Sequence, residues 1–115
     1  MTSNPWILLA EDDKLFAALF QRFWVGSFPE VQVVLVPSVA EARKELQNRP
    51  TPVAAVLDYT LSDGTSEELS RELSCPFVLW SACGEGHLQA KPTGRDELGR
   101  AVQQVAALAG LLPLE

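Results

Sequence analysis

Val53-Ala54-Ala55-Val56-Leu57-Asp58 is an apolar run of five residues closed by an acid. The run does not alternate, so neither face is set aside for water, and that is the pattern of a strand buried on both sides of a parallel sheet. Pro50-Thr51-Pro52 delivers the chain into it as a helix-to-strand connection. Three further runs, Trp6–Ala10, Val31–Val36 and Phe77–Trp80, are nearly continuous in the same way. The segments between them have helical spacing: Leu15, Leu19, Phe20 and Phe23 in the first, Val39, Ala42 and Leu46 in the second, Leu69 and Leu73 in the third. Ser38 stands three before Glu41 and Thr65 three before Glu68, the offset of a capping box. The spacing predicts a last helix over Arg95 to Leu112, capped by Thr93, with Leu98, Val102, Val105 and Leu108 on its inner stripe, and a fifth strand over His87–Ala90 before it. Strands alternating with helices need right-handed crossovers and give an open sheet covered on both faces.

The size and balance of the chain agree. Its 115 residues fit one domain, 1–115, and 47% apolar with 21% charged residues is a globular mixture rather than a disordered one. A net charge of -6, with no lysine or arginine cluster, argues against direct binding to nucleic acid. No apolar stretch reaches the roughly 18 to 20 residues of a membrane span, and no charged-then-apolar leader is visible, so a cytoplasmic location away from the membrane is expected. Cys75 and Cys83 lack the spacing of a redox or zinc motif, and a single histidine, His87, excludes a histidine-rich metal site or a two-histidine catalytic pair.

In an open parallel sheet the ligand crevice lies beyond the carboxyl ends of the strands, so the residues just after each run carry the most information about chemistry. The first run ends in Glu11-Asp12-Asp13 and the third in Asp58, and the two strands are expected to be neighbours. Two carboxylates about 4 Å apart repel by roughly 4 kcal/mol at an effective dielectric near 20, which calls for a compensating cation. Magnesium suits such a site, since it takes hard oxygen ligands and uses one or two carboxylates with water and phosphate. Ser81 ends the fourth run and Lys91 follows the fifth, adding a hydroxyl donor and a fixed cation. A carboxylate nucleophile, a divalent cation, a lysine and a hydroxyl are the parts that stabilise a transferring phosphoryl group.

Four dispersed segments then combine: Ile7-Leu8-Leu9-Ala10-Glu11-Asp12-Asp13, Val56-Leu57-Asp58-Tyr59-Thr60-Leu61-Ser62-Asp63-Gly64, Leu79-Trp80-Ser81-Ala82 and Lys91-Pro92. In order and context they resemble the signature of bacterial response-regulator receiver domains, across essentially the whole chain. The resemblance implies a doubly wound, flavodoxin-like three-layer sandwich with a five-stranded parallel sheet in the order 2-1-3-4-5. It implies Asp58 as phosphoacceptor, and magnesium held by Asp12 and Asp58 directly, by Glu11 through water and by Thr60 through its backbone carbonyl. It further implies that Ser81 and Lys91 bind the phosphoryl group and that Pro92 is a structural, often cis-linked, proline. Thr60 and Cys83, two positions beyond Asp58 and Ser81, would tune phosphoryl lifetime. Asp13 is left as either a helix cap or a solvated acid. The partners implied are a histidine kinase or phosphotransfer protein upstream and an unidentified protein target downstream, in a domain that takes part in its own phosphorylation without being a turnover enzyme.

Departures from the pattern lie between Asp58 and Lys91. The interval from Asp58 to Ser81 leaves room for a third helix of about two turns, Ser66 to Leu73. Only Ala82-Cys83-Gly84-Glu85-Gly86 separates Ser81 from the fifth strand, which predicts that the family's fourth helix is absent. Leu88 stands where the family's switch aromatic is expected. Two rival readings remain: a phosphorylation-independent interaction module on the same fold, and a small phosphohydrolase using Asp58 as nucleophile. The second is disfavoured because Thr60 stands where its further aspartate belongs and because no cap would exclude water.

Overall fold

The computed structural model of the protein describes residues 4–81 and 89–112. In chain order it contains β1 (Trp6–Ala10), α1 (Lys14–Ser27), β2 (Gln32–Val36), α2 (Val39–Asn48), β3 (Ala54–Asp58), β4 (Thr60–Leu61), β5 (Gly64–Thr65), α3 (Glu67–Glu72), β6 (Phe77–Ser81), β7 (Gln89–Ala90) and α4 (Arg95–Leu108). Five strands form one sheet in the order β2-β1-β3-β6-β7, and every neighbouring pair is parallel. With the two-residue strands β4 and β5 set aside, this is the expected order 2-1-3-4-5.

The continuous apolar runs are explained by where their residues go. Successive strand side chains point to opposite faces. Ile7, Leu9, Ala54, Val56, Val78 and Trp80 pack beneath α1 and α4, with Phe16, Phe20, Trp24, Leu98, Val102 and Val105. Trp6, Leu8, Ala10, Ala55, Leu57 and Leu79 pack on the other face with Val39 and Ala42 of α2 and Leu69 of α3. Two of the three buried tryptophans place their indole N–H on carbonyls, Trp24 Nε1 donating to Val31 (3.0 Å) and Trp6 Nε1 to Pro50 (2.8 Å).

Several local expectations change. On α1 the buried line is Phe16, Phe20 and Trp24 with Ala17, whereas Leu15 is 71% and Leu19 38% exposed. Two apolar stripes compete on this helix, about one residue or 100° apart, and the ring-bearing one is buried because each aromatic removes more apolar area from water. On α4, Leu98, Val102 and Val105 are buried but Leu108 is exposed in the final turn, and the helix ends there rather than at Leu112. Gly94, not Thr93, is its N-cap; the Thr93 N–H and hydroxyl both donate to Glu97 Oε1 (2.9 and 3.0 Å). Ser66, not Thr65, stands at the start of α3, and its hydroxyl donates instead to the Asp58 carbonyl (2.6 Å). Ser38 does cap α2, its Oγ accepting the Glu41 N–H (3.2 Å).

The β4–β5 hairpin was not expected from the sequence. Leu61 pairs with Gly64 across Ser62-Asp63, and Gly64 takes φ +141°, a conformation open to glycine and not to residues with a Cβ. Residues 82–88, the stretch in which the sequence predicts no fourth helix, lie outside the described residues with Cys83, His87 and Leu88, and so does the first half of the predicted fifth strand.

Candidate metal and phosphoryl site

β1 and β3 are adjacent and in register, Ala10 beside Leu57, so the residues that follow them emerge side by side. Glu11 continues the ladder by donating its N–H to the Val36 carbonyl (2.9 Å), which fixes its backbone at the sheet edge. Asp58 is held by the Ser66 hydroxyl on its carbonyl and by the next residue, whose N–H donates to the Trp80 carbonyl (2.6 Å). The outcome is a cluster in which carboxylate oxygens of Glu11, Asp12 and Asp58 all lie within 4.8 Å of one another. The three differ in access: Glu11 is 3% exposed, Asp58 half-buried and Asp12 exposed.

Asp13 does not join them. Its Oδ1 accepts the N–H groups of Leu15 (3.1 Å) and Phe16 (3.2 Å), so it is the N-cap of α1, and its own N–H donates to Glu11 Oε2 (3.0 Å). The acidic triplet is thereby divided, two acids to the crevice and one to the helix.

Lys91 reaches the cluster from the far side of the chain. Its N–H donates to the Ser81 carbonyl (2.9 Å), and its Nζ lies 2.7 Å from Glu11 Oε1 and 3.5 Å from Asp58 Oδ2. Burial pushes the Glu11 carboxyl up to about 7, with the Asp58 charge adding to it and the Lys91 ammonium and the Asp13 N–H opposing. For Lys91 burial works downward, but the Glu11 hydrogen bond and charge, then the charges of Asp58 and Asp13, outweigh it and hold the ammonium above its ordinary value. Three carboxylates facing one ammonium leave the crevice negative, and the donors are hard oxygens, which suits a divalent cation of the magnesium type.

Ser81 ends β6 and is half-buried, one residue after Trp80, which pairs with Asp58 across the sheet. Thr60 lies on β4, exposed, two residues beyond Asp58. Pro92 directly follows Lys91, and no cis peptide bond occurs among the described residues, so the bond before it is trans, where the resemblance implies an often cis-linked proline. Two contributors carry no sequence signature of their own. The Phe16 ring lies under Lys91, with Nζ 4.6 Å from the ring centroid. Asp63, at the hairpin tip, accepts the N–H groups of Val39 (2.8 Å) and Ala40 (3.0 Å) and so caps α2 from a distant element.

Solved structures share this architecture. The Mn(2+)-bound form of response regulator Rcp1 superposes with a TM-score of 0.74 at 22% identity, over 96% of this chain and 99% of that one. The non-phosphorylated HemR receiver domain from Leptospira biflexa gives 0.72 at 22% identity, over 96% and 98%. A two-component response regulator from Clostridium difficile gives 0.74 at 18%, over 90% and 94%. The fold is the response-regulator receiver fold. No family model and no curated protein matches the chain. Within the receiver fold the acidic cluster stands at the carboxyl edge of the parallel sheet, where such sheets form their ligand crevice. No helix among the described residues is long and apolar enough to cross a membrane.

Proposed function

We propose that this chain is a phosphoacceptor of a two-component relay that takes a phosphoryl group on Asp58. The observation that carries this is the cluster itself: Glu11, Asp12 and Asp58 within 4.8 Å, with Lys91 bridging Glu11 and Asp58. A folded domain has no structural need to crowd three acids at one edge, and the cost is tolerated where charge is to be used.

Glu11, Asp12 and Asp58 would hold magnesium, with the Thr60 carbonyl as a further oxygen donor. When bound, the ion supplies positive charge to the phosphoryl oxygens and screens the acids from one another. The protein's own groups do the rest. An Asp58 carboxylate oxygen attacks phosphorus, a P–O bond forms, and the P–N bond of a donor phosphohistidine breaks. Its electron pair returns to the imidazole, which takes a proton from solvent. Lys91 and the Ser81 hydroxyl receive the phosphoryl oxygens, and their fixed positions lower the barrier without a general base. The upstream donor is a histidine kinase or phosphotransfer protein. It has an apolar ledge to meet beside the crevice, where exposed Leu15 and Leu19 adjoin Phe23, Leu98 and Pro92 around a cavity of about 330 Å³. Output passes by contact to a downstream protein in the cytoplasm, the donor being consumed one for one rather than turned over. Cys83 and Thr60 would set the lifetime of the acyl phosphate.

The test is to incubate the protein with magnesium and acetyl phosphate and weigh it intact. A gain of one phosphoryl group, absent in Asp58→Asn, is the expected result; an unchanged mass refutes the reading. One observation favours a second reading, a phosphorylation-independent interaction module: the Glu11–Lys91 pair is closed at 2.7 Å, tighter than Lys91 to Asp58, and partly neutralises the crevice by itself. An unchanged mass together with no effect of magnesium on stability would establish that reading instead.

A further inference from the structure

A lysine that serves two carboxylates needs something to stop it collapsing wholly onto one of them, and ion pairing alone does not supply it. Lys91 ends in a strongly hydrated point charge on a flexible four-carbon stem, and Glu11 and Asp58 both attract it. The third side of the ammonium is occupied by a ring. Phe16 presents its face to Nζ at 4.6 Å, inside the ~6 Å reach of a cation–π contact, and the site is sheltered, since Phe16 is buried and the Lys91 side chain is 18% exposed.

The ring has little freedom. Trp80 meets it edge-on, with centroids 5.6 Å apart and planes at 90°, and Phe20 lies at 6.4 Å. Its backbone is held too, because the Asp13 cap accepts the Phe16 N–H at 3.2 Å. Trp80 in turn stands beside Asp58 on the neighbouring strand and immediately before Ser81. The ring therefore joins three parts of the crevice: the acidic end of β1 through its cap, the Ser81 strand through Trp80, and Lys91 through its face.

We propose that Phe16 is the positioning residue for Lys91, an aromatic floor that holds the ammonium between Glu11 and Asp58 so that it is in place when a phosphoryl group arrives. The consequence for rate rests on Asp58 being the phosphoacceptor; the placement of the ammonium does not.

Two measurements separate these levels. In the metal-free protein, ring current from Phe16 shifts the Lys91 ε-methylene protons upfield in the NMR spectrum; Phe16→Leu removes the shift, and Phe16→Tyr keeps it. With magnesium and acetyl phosphate, Phe16→Leu slows phosphorylation about three- to tenfold, the scale of one sheltered cation–π contact. The half-saturating magnesium concentration stays unchanged, because Glu11, Asp12 and Asp58 are untouched. Phe16→Tyr restores the rate. In a Lys91→Met background, Phe16→Leu has no further effect, since a ring acting through Lys91 has nothing left to hold. Ordinary ε-methylene shifts in the wild-type protein would overturn the proposal without any variant having to fold. Equal slowing by Phe16→Leu with and without Lys91 would overturn it as well, showing a purely structural role. If the shift is present but the wild-type protein takes no phosphoryl group, the phosphoacceptor reading and the rate effect fall together, while the placement of Lys91 stands.

Discussion

Asp58 closes an otherwise apolar strand and shares its crevice with two more carboxylates and one ammonium. Without a divalent cation, and above the Glu11 value of about 7, those four charges sum to a net excess of two negatives, and replacing Asp58 by asparagine reduces it to one. Asp58→Asn is therefore expected to fold normally, to lose all phosphoryl uptake, and in chelator to be more stable than the native protein by about 1 kcal/mol. A lower urea midpoint for the variant in chelator would show that the Lys91–Asp58 contact outweighs the repulsion. Lys91→Met is the opposite case. It leaves Glu11, 3% exposed, without its 2.7 Å partner. Breaking a buried pair from one side is costly only while Glu11 stays ionised, and its carboxyl already stands at about 7, so the loss measured by urea unfolding is expected to be under about 1 kcal/mol near pH 6 and to grow to about 2 kcal/mol by pH 9. A loss under about 0.5 kcal/mol at pH 9, the range of ordinary surface substitutions, would mean that solvent already reaches Glu11.

Between elements, the contact with the clearest pH signature is the one from the β4–β5 hairpin to α2. The N–H groups of Val39 and then Ala40 hold the Asp63 carboxyl below its ordinary value of 3.8, since both bonds favour the ionised form. A depressed carboxylate contributes stability that is fully present above its unfolded value and lost as pH falls through its folded one. Asp63→Asn should thus lower the urea midpoint at pH 6, and the gap from the native protein should narrow toward pH 3. A gap of constant size would assign the effect to hairpin geometry rather than to charge. This cap also shows where the sequence could be read and where it could not. The bond from Asp63 spans 24 positions to Val39, and no local offset announces it. Ser38 with Glu41 could be read because cap and helix are contiguous; Thr65 and Thr93 were misplaced by one residue because the neighbouring Ser66 and Gly94 start those helices. On α1 the pattern contains two apolar stripes, and only the packing against Trp80 and β1 selects Phe16, Phe20 and Trp24 over Leu15 and Leu19.

Across the whole molecule, β1 and β3 were legible because burial on both faces writes itself as unbroken apolar runs, whereas β2, at the edge of the sheet, leaves Gln32 and Leu35 exposed; the acidic cluster was legible because acids mark the ends of β1 and β3. Glu11, Asp12 and Asp58 converge as expected from the order of β1 and β3; Phe16 and Lys91, 75 positions apart, meet only through the packing of α1 against that sheet. The sheet makes the crevice a property of the folded state alone: β1 and β3 bring Glu11 and Asp58 together, and the unfolded chain separates them by 47 residues. A cation that binds the cluster must then stabilise the whole fold by mass action. At ten times its dissociation constant, magnesium is expected to add about 1.4 kcal/mol, or roughly 5 °C in Tm for a domain of this size, rising with the logarithm of concentration. The same titration on Asp58→Asn should give a much smaller rise, so the variant that is more stable in chelator becomes the less stable one in saturating magnesium. That crossing is the decisive feature, because a general salt effect on surface charge would move both proteins alike. Thermal melts of the two proteins in chelator and across a magnesium series therefore test whether the carboxyl edge of the sheet is a cation site, and parallel curves would show that it is not.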